Sequence, residues 1–427
     1  MVDFLPAQLV NLCCTEAISR FCKELFMSCA STHLSSSEAS IMDNGSAATA
    51  PVEIWRLIFE HAFDHPKLHY SCDPKYLNEF MSNHSGHGDD CGTVYRSIRA
   101  VCRSWKALAE EFIHRESLLR VLSLTSKCLH LSRASRLQCH WYSELSLGSF
   151  RHWLSEATPK LTVLDITFHV DGELEKLHLD ALSAASSLPS IRSLRLRWRG
   201  RRLPYLSSQI SIGFTNLVSL EIGMLTWPLH PLILPKLEIL IMEIYSVEGE
   251  PDLARWSLPA LQMLGVHHHS QEFRLGILRP IATRVEALSI IDSGYGKTGM
   301  SLFENFPILR FLFIRDAPFI VNDPVPNGHP LSEIHLSNSG AAVLGATDPV
   351  SQLKNTRIDH GSFDHKVRFM LDSVTWRYIR GKYSNDRGPQ LLVDHHLSLN
   401  LVVVDKLGRS FEEYTREQEM KSEFPLF

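Results

Sequence analysis

The chain has 427 residues with 43 basic and 47 acidic side chains, a net charge of -4, which gives no general attraction to phosphate backbones and sets nucleic acid aside as a partner. Apolar residues make up 44% and charged residues 21%, the balance of a globular protein with a sizeable core, and no apolar run approaches the roughly 18 residues of a membrane span. The nine cysteines lie between Cys13 and Cys139 with no Cys-x-x-Cys pair, which fits neither a disulfide framework nor a standard zinc module.

In chain order, residues 1–30 begin "MVDFLPAQLVNLCC" without the basic n-region of a secretory signal, so the expected location is the reducing cytoplasm or nucleus. The following "AISRFCKELFMSC" is amphipathic at Ile18, Phe21, Cys22, Leu25 and Phe26 and reads as an accessory helix or a tail. Residues 31–50, "STHLSSSEASIMDNGSAATA", are small and polar and read as a flexible linker. A helix is then expected from Pro51. Proline suits the first helical turn, Glu53 favours its positive end, and Ile54, Leu57, Ile58 and Ala62 follow at helical spacing. Trp55 and Phe59 extend the apolar surface onto a second face, and a helix apolar on two faces needs two partners.

Residues 64–94 are polar, with Gly86, Gly88 and Gly92, and read as an insertion. They hold Cys72, His84, His87 and Cys91, but structural zinc sites bring two tightly spaced ligand pairs, so this is read as a polar loop. A second helix, "YRSIRAVCRSWKALAEEF", places Ile98, Val101, Cys102, Trp105 and Leu108 on one side. The two helices resemble the halves of an F-box. That family opens on Leu-Pro-x-Glu-Leu/Ile, continues to Ile-Phe and closes on Val-Cys-Arg-x-Trp-x-x-Leu-Ala. Here these are Ala50-Pro51-Val52-Glu53-Ile54, Ile58-Phe59 and Val101-Cys102-Arg103-Ser104-Trp105-Lys106-Ala107-Leu108-Ala109. The closing half matches throughout; Ala50 stands where leucine is usual. "FLPAQLV" at 4–10 is a rival opening that lacks the acidic residue and the Ile-Phe pair.

Beyond residue 117 one pattern recurs: an aliphatic, two free positions, a second aliphatic, one free position and a third. It appears as "LRVLSL" at 119, "LTVLDI" at 161, "IRSLRL" at 191, "LVSLEI" at 217, "LEILIM" at 237, "LQMLGV" at 261, "VEALSI" at 285, "LRFLFI" at 309 and "LSEIHL" at 331. From 217 onward the steps are 20, 24, 24, 24 and 22 residues. Proline stands two places before the first aliphatic at Pro159, Pro189, Pro235, Pro259 and Pro307, so each unit reads as a return leg, a proline stop and a short strand. This resembles the leucine-rich repeat, with 20–29 residues and one strand per unit. The Asn or Cys usual three places after the third aliphatic is replaced, for example by His269, Ser293 and Ala317, which implies an irregular form.

"IIDSGYGKTG" at 290–299 ends like a phosphate-binding loop. Ile291 holds the place of its first glycine, and Thr298 to Asn305 leaves little helix before Pro307, so it reads as the turn leaving a strand. His267-His268-His269 is no ligand set, because adjacent side chains on a strand point to opposite faces. "LLVDHHLSLNLVVVD" at 391–405 is apolar enough for a buried strand within a C-terminal cap, 371–427. The expected architecture is therefore α/β: a helical module at 51–116 carrying the 64–94 insertion, a parallel-strand repeat solenoid at 117–370 with helices or irregular legs on the convex face, and the cap.

The two resemblances together imply a non-catalytic substrate receptor of an SCF-type ubiquitin ligase, of a kind numerous in fungi, with no cofactor or metal. Pro51, Ile54, Trp55, Ile58, Val101 and Cys102 would face an SKP-type adaptor and, through it, a cullin. The alternative is a repeat scaffold without a ubiquitin role. The residues between the inward aliphatics form the concave face. On it Ile239, Ile241, Met263, Ile291, Phe311 and Phe313 are expected as an exposed apolar partner site, flanked by Arg195 and Arg197 to meet an acidic segment.

Overall fold

A computed structural model describes residues 116–119, 136–141, 147–157, 161–168, 188–198, 206–226, 231–246, 253–268, 275–292, 301–315, 320–337, 356–358, 361–371, 375–382 and 387–423, with 182–183, 185 and 354. The chain divides into two units, residues 1–69 with 86–117 and residues 70–85 with 118–427. The helices expected over 51–116, the linker and the insertion lie outside the described residues.

The sequence dictates the architecture through its turns. At Leu188, Leu234, Leu258 and Phe306 a buried residue is followed by proline, and the amide three places on donates back to its carbonyl. The bonds are Ile191 to Leu188 (3.2 Å), Leu237 to Leu234 (3.2 Å), Leu261 to Leu258 (3.1 Å) and Leu309 to Phe306 (3.3 Å). Proline therefore occupies the second position of a β-turn, where its fixed φ is favourable and no amide is required. Phe214 and Ala282 make the same turn with threonine in that place. Each turn ends on the first aliphatic of the pattern and releases the chain into a strand two residues later.

The elements in chain order are β1 (Glu116–Leu119), β2 (Arg136–Trp141), α1 (Leu147–Ala157), β3 (Val163–Phe168), β4 (Ser193–Trp198), α2 (Leu206–Gly213), β5 (Ser219–Thr226), β6 (Ile239–Ser246), β7 (Met263–His268), α3 (Arg279–Ala282), β8 (Ala287–Asp292), β9 (Phe311–Arg315), β10 (Ile320–Val321), β11 (Glu333–Ser337), β12 (Arg357–Ile358), β13 (Val367–Leu371), α4 (Trp376–Gly381), α5 (Arg387–Ser398), β14 (Leu401–Val404) and α6 (Phe411–Glu423). Twelve strands form one sheet in the order β1 to β9, then β11, β13 and β14; β10 and β12 form a separate parallel pair. From β2 onward every neighbouring pair in the large sheet is parallel. All eight strands expected between residues 161 and 340 are present. At 119 the described strand is β1, ending at Leu119.

Parallel, in-register pairing collects equivalent positions into rows. The second aliphatics form one row across eleven strands: Leu137, Leu164, Leu194, Leu220, Leu240, Leu264, Leu288, Leu312, Ile334, Phe369 and Val403, none more than 3% exposed. The third aliphatics form a parallel row from Cys139 to Leu371. Both rows pack against the return legs, which contribute Phe150 and Leu154 from α1, Ile210 from α2 and Leu253, Leu278 and Ala282 from shorter turns. The main core is this layer.

The C-terminal segment departs from expectation. Residues 391–398 are helical, within α5, because Leu392 and His396 repeat at i, i+4 and are buried while Leu391 and Leu397 are exposed. Only Leu401–Val404 form the strand, and it joins the sheet beside β13. Asp405, fully buried, then closes a turn: Oδ1 accepts from the Leu407 and Arg409 amides (3.0 and 3.1 Å), and Oδ2 accepts from Arg409 Nη2 (2.8 Å). Ser410 and Glu413 bond reciprocally to each other's amides, a capping box at the start of α6.

Leu264→Ala deletes part of the central row, and the site is held by neighbours on both sides. We expect a loss of about 2–5 kcal/mol in urea denaturation, whereas Gln262→Ala, exposed at the entry to the same strand, should stay within about 0.5 kcal/mol of wild type.

Candidate functional site

The alternate positions of the strands give the other face of the sheet, and register places its side chains in rows too. One row reads Asp165, Arg195, Glu221, Ile241, Gly265, Ser289, Phe313, His335 and Met370. The row beside it contains Ile239, Met263, Ala287, Phe311, Glu333 and Arg368. On the opposite side run Glu243, His267, Ile291 and Arg315. These rows contain Arg195, Ile239, Ile241, Met263, Ile291, Phe311 and Phe313.

Their exposure is not as expected. Ile241, Met263, Ile291 and Phe313 are buried, together with Ala287, and only Ile239 and Phe311 are half-buried. Two reasons operate. Neighbouring strands stand about 4.8 Å apart, so bulky side chains in one row pack on one another, and parallel sheets are ordinarily covered on both faces. Within the described residues this second apolar cluster consists of strand side chains alone. It is a minor core rather than an open patch.

The arginine flank is also corrected. Arg195 is 5% exposed, and its Nε donates to Glu221 Oε2 while its Nη1 lies 3.5 Å from Asp165 Oδ2. Glu221 Oε1 accepts from Arg197 Nε at 3.0 Å. Three carboxylates, Asp165, Glu221 and Glu243, thus surround two guanidinium groups, and the arginines meet acids of this chain instead of standing ready for an acidic partner. Burial alone would pull Arg197 down, but Glu221, Asp165 and Glu243 hold it above its ordinary range. Gly223 makes room for the last of these: a Cβ there would come within 3.1 Å of Glu243 Oε2. Asp165 and His335 belong to the same row and were not among the expected site residues. His335 stacks on Phe313 (ring centroids 4.5 Å apart) and bonds to Glu333 Oε2 (3.1 Å). Cys139, on the main-core face, is pushed up to about 12 by burial and by Asp165, and stays a protonated, unreactive thiol.

A second group of titratable side chains holds the entry to β11. The Leu331 amide donates to His329 Nδ1 (3.3 Å), and its carbonyl accepts from His365 Nε2 (2.8 Å). His329 is buried and donates through Nε2 to the Phe306 carbonyl (3.1 Å), so the neutral ring fits and burial holds it below the ordinary 6.5. His365 Nδ1 faces Asp364 Oδ1 at 2.7 Å, and that carboxylate, then the Leu331 carbonyl, raises it above 6.5. Asp364 is held below its ordinary range by His365 and by the Gly328 amide (2.6 Å).

Pro51, Ile54, Trp55, Ile58, Val101 and Cys102 lie outside the described residues, as do Cys72, His84, His87 and Cys91. Among the described residues no group of three His, Cys, Asp or Glu side chains is arranged to hold a metal ion, and no helix is long and apolar enough to cross a membrane. No protein-family model matches the chain, and no curated protein matches it.

Glu221→Ala would leave the buried Arg195 with Asp165 alone and the part-exposed Arg197 without its hydrogen-bonded carboxylate, and should cost about 3–5 kcal/mol; Glu221→Gln, which still accepts one hydrogen bond, should cost less by the same urea assay. The histidines act in opposite pH windows. His365, raised, contributes stability that is full below pH 6.5 and lost as pH climbs through its folded value. His329, lowered, contributes stability that is present above pH 6.5 and lost as pH falls below it. His365→Gln should flatten the alkaline limb of a melting-temperature profile and leave the acid limb; an unchanged alkaline limb would show that the Asp364 pairing is not felt.

Proposed function

We propose that the chain is the substrate-recognition subunit of a cullin-based ubiquitin ligase. In this reading residues 51–109 are an F-box that holds an SKP-type adaptor, and the strand repeats are an irregular leucine-rich-repeat solenoid that holds a protein substrate. One observation carries it. Val101 to Ala109 spell the closing half of the F-box pattern without a mismatch, and downstream of them parallel strands are added one per unit, 20–30 residues apart from β2 to β11, within or close to the leucine-rich spacing.

The chain performs no chemistry in this role. Pro51, Ile54, Trp55, Ile58, Val101 and Cys102 bury an apolar patch against the adaptor, where one tryptophan can dominate the affinity. The adaptor bridges to the cullin, and the repeats present the substrate. Since the apolar centre of the strand face is a minor core, the substrate contacts fall to its half-exposed members, Ile239 and Phe311, and to the rims. Ala50 in place of leucine favours a second reading, a repeat scaffold with no ubiquitin role.

Binding to a purified SKP-type adaptor separates the two. The full chain should co-elute with it in a one-to-one complex, and Pro51→Ala with Trp55→Ala should weaken that complex at least about thirtyfold, the ~2 kcal/mol of a hot spot. A folded wild-type chain that forms no complex with excess adaptor would end the ligase reading and leave the scaffold.

A further inference from the structure

Helix α4 carries a cluster of side chains that neither the sheet nor the proposed adaptor surface uses. Trp376 and Ile379 anchor it in the core, both at 0% exposure, and Trp376 Nε1 donates to the Arg409 carbonyl at 2.7 Å. With those two residues fixed, Arg377, Tyr378, Gly381 and Lys382 are held on the outer side. Arg377 and Gly381, and Tyr378 and Lys382, are i, i+4 pairs and therefore neighbours on the helix surface. With Thr375 they line an open depression of about 430 Å³.

Three features of this depression point to an anionic ligand. The first is its charge. Among the described residues that line it, Arg377 and Lys382 are cations and none is a carboxylate, and neither is in an ion pair with a carboxylate among the described residues.

The second feature is Gly381. Its backbone is not among the positive-φ glycines, which are Gly328, Gly361 and Gly408 in the described residues, and a Cβ there would meet nothing within 4 Å. Glycine weakens a helix relative to alanine. Neither a turn nor a close approach calls for it at this position; what the missing side chain leaves is space in the wall of the depression.

The third is the donor set. Arg377 offers a planar fork of N–H groups, and Lys382 a compact charge whose Nζ is steadied 5.3 Å from the centroid of the Tyr378 ring. Thr375 Oγ1 accepts from the Tyr378 amide and keeps its own hydrogen to donate. A phosphate group at neutral pH carries about -1.5 to -2 charges and three strong acceptor oxygens, which matches two cations and a hydroxyl. A carboxylate can bridge two cations, as Glu221 does for Arg195 and Arg197, but its two oxygens would then leave the Thr375 hydroxyl without an acceptor.

We propose that this depression binds a phosphate group, held between Arg377 and Lys382 with the Thr375 hydroxyl donating to a third oxygen and the exposed Tyr378 ring as a wall for whatever carries the ester. The site uses none of the residues assigned to adaptor or substrate, so adaptor binding succeeds or fails independently of it.

The test is calorimetric titration of the full chain, at fixed ionic strength, with inorganic phosphate, O-phosphoserine and O-phosphotyrosine. Saturable one-to-one binding by at least one of them is expected, weakened at least tenfold by Arg377→Gln and by Gly381→Glu, which places a carboxylate in the depression. Melting temperatures of both variants should stay near wild type; if Gly381→Glu fails to fold, Arg377→Gln alone decides. Tighter binding of a monoester than of inorganic phosphate identifies an esterified ligand with Tyr378 as its wall, and equal binding identifies free phosphate. Absence of saturable binding by all three, or equal affinity in wild type and Arg377→Gln, overturns the proposal.

Discussion

In-register pairing of parallel strands whose order in the sheet is their order in the chain is the constraint on which the rest of the structure depends. Just before each strand from β3 to β9 one carbonyl accepts two successive amides from the next strand. Arg192 takes those of Val218 and Ser219, Glu238 those of Gln262 and Met263, and Glu286 those of Arg310 and Phe311. This fixes the register of each addition. A slip of one residue would turn the whole aliphatic row to the opposite face, so the short turns at Leu188, Leu234, Leu258 and Phe306 determine much more than their own conformation. At β11 the device changes: the imidazole of His329 stands in for the turn carbonyl and receives the Leu331 amide.

The same constraint makes buried charge tolerable on the second face. Desolvating an isolated guanidinium or carboxylate is costly, and a pair recovers that cost only when the geometry is good and further partners are at hand. Register sets Asp165, Arg195 and Glu221 side by side on consecutive strands, so opposite signs alternate at strand spacing. Gly223, between Arg197 and Glu243, extends the network diagonally by having no side chain. The alternation ends at Ile241, and Gly265, Ser289 and Phe313 continue the row without charge.

The repeat was legible because rows are built from aliphatics at fixed phase, and the strands from β3 to β9 and β11 follow from it. The strands that escaped are those in which the row is completed by other residue types. Cys139 stands for the third aliphatic in β2, Lys366 for the first at β13, and Asn400 and Asp405 for the first and third around β14. Asn400 even adopts φ 61° and donates its side-chain amide to the Phe363 carbonyl, a role no aliphatic could fill. Face assignment at the candidate site was legible for the same reason that register was. Burial was not, because period-2 alternation is shared by a face open to water and a face that is covered, and the pairing of Arg195 and Arg197 depends on acids contributed by three other strands. Gly381 left no pattern at all; its meaning comes from the empty space beside it.

Strand addition in chain order has a kinetic side. Each strand of the large sheet from β2 onward pairs with one that begins 20–35 residues away, and the entropy of closing a loop rises only with the logarithm of its length. Parallel sheets are usually slow to form because their partners are distant in the chain. Here relative contact order stays low however long the sheet grows, so assembly can advance strand by strand from any nucleus. An extra unit inserted between two strands would lengthen the sheet without lengthening the search.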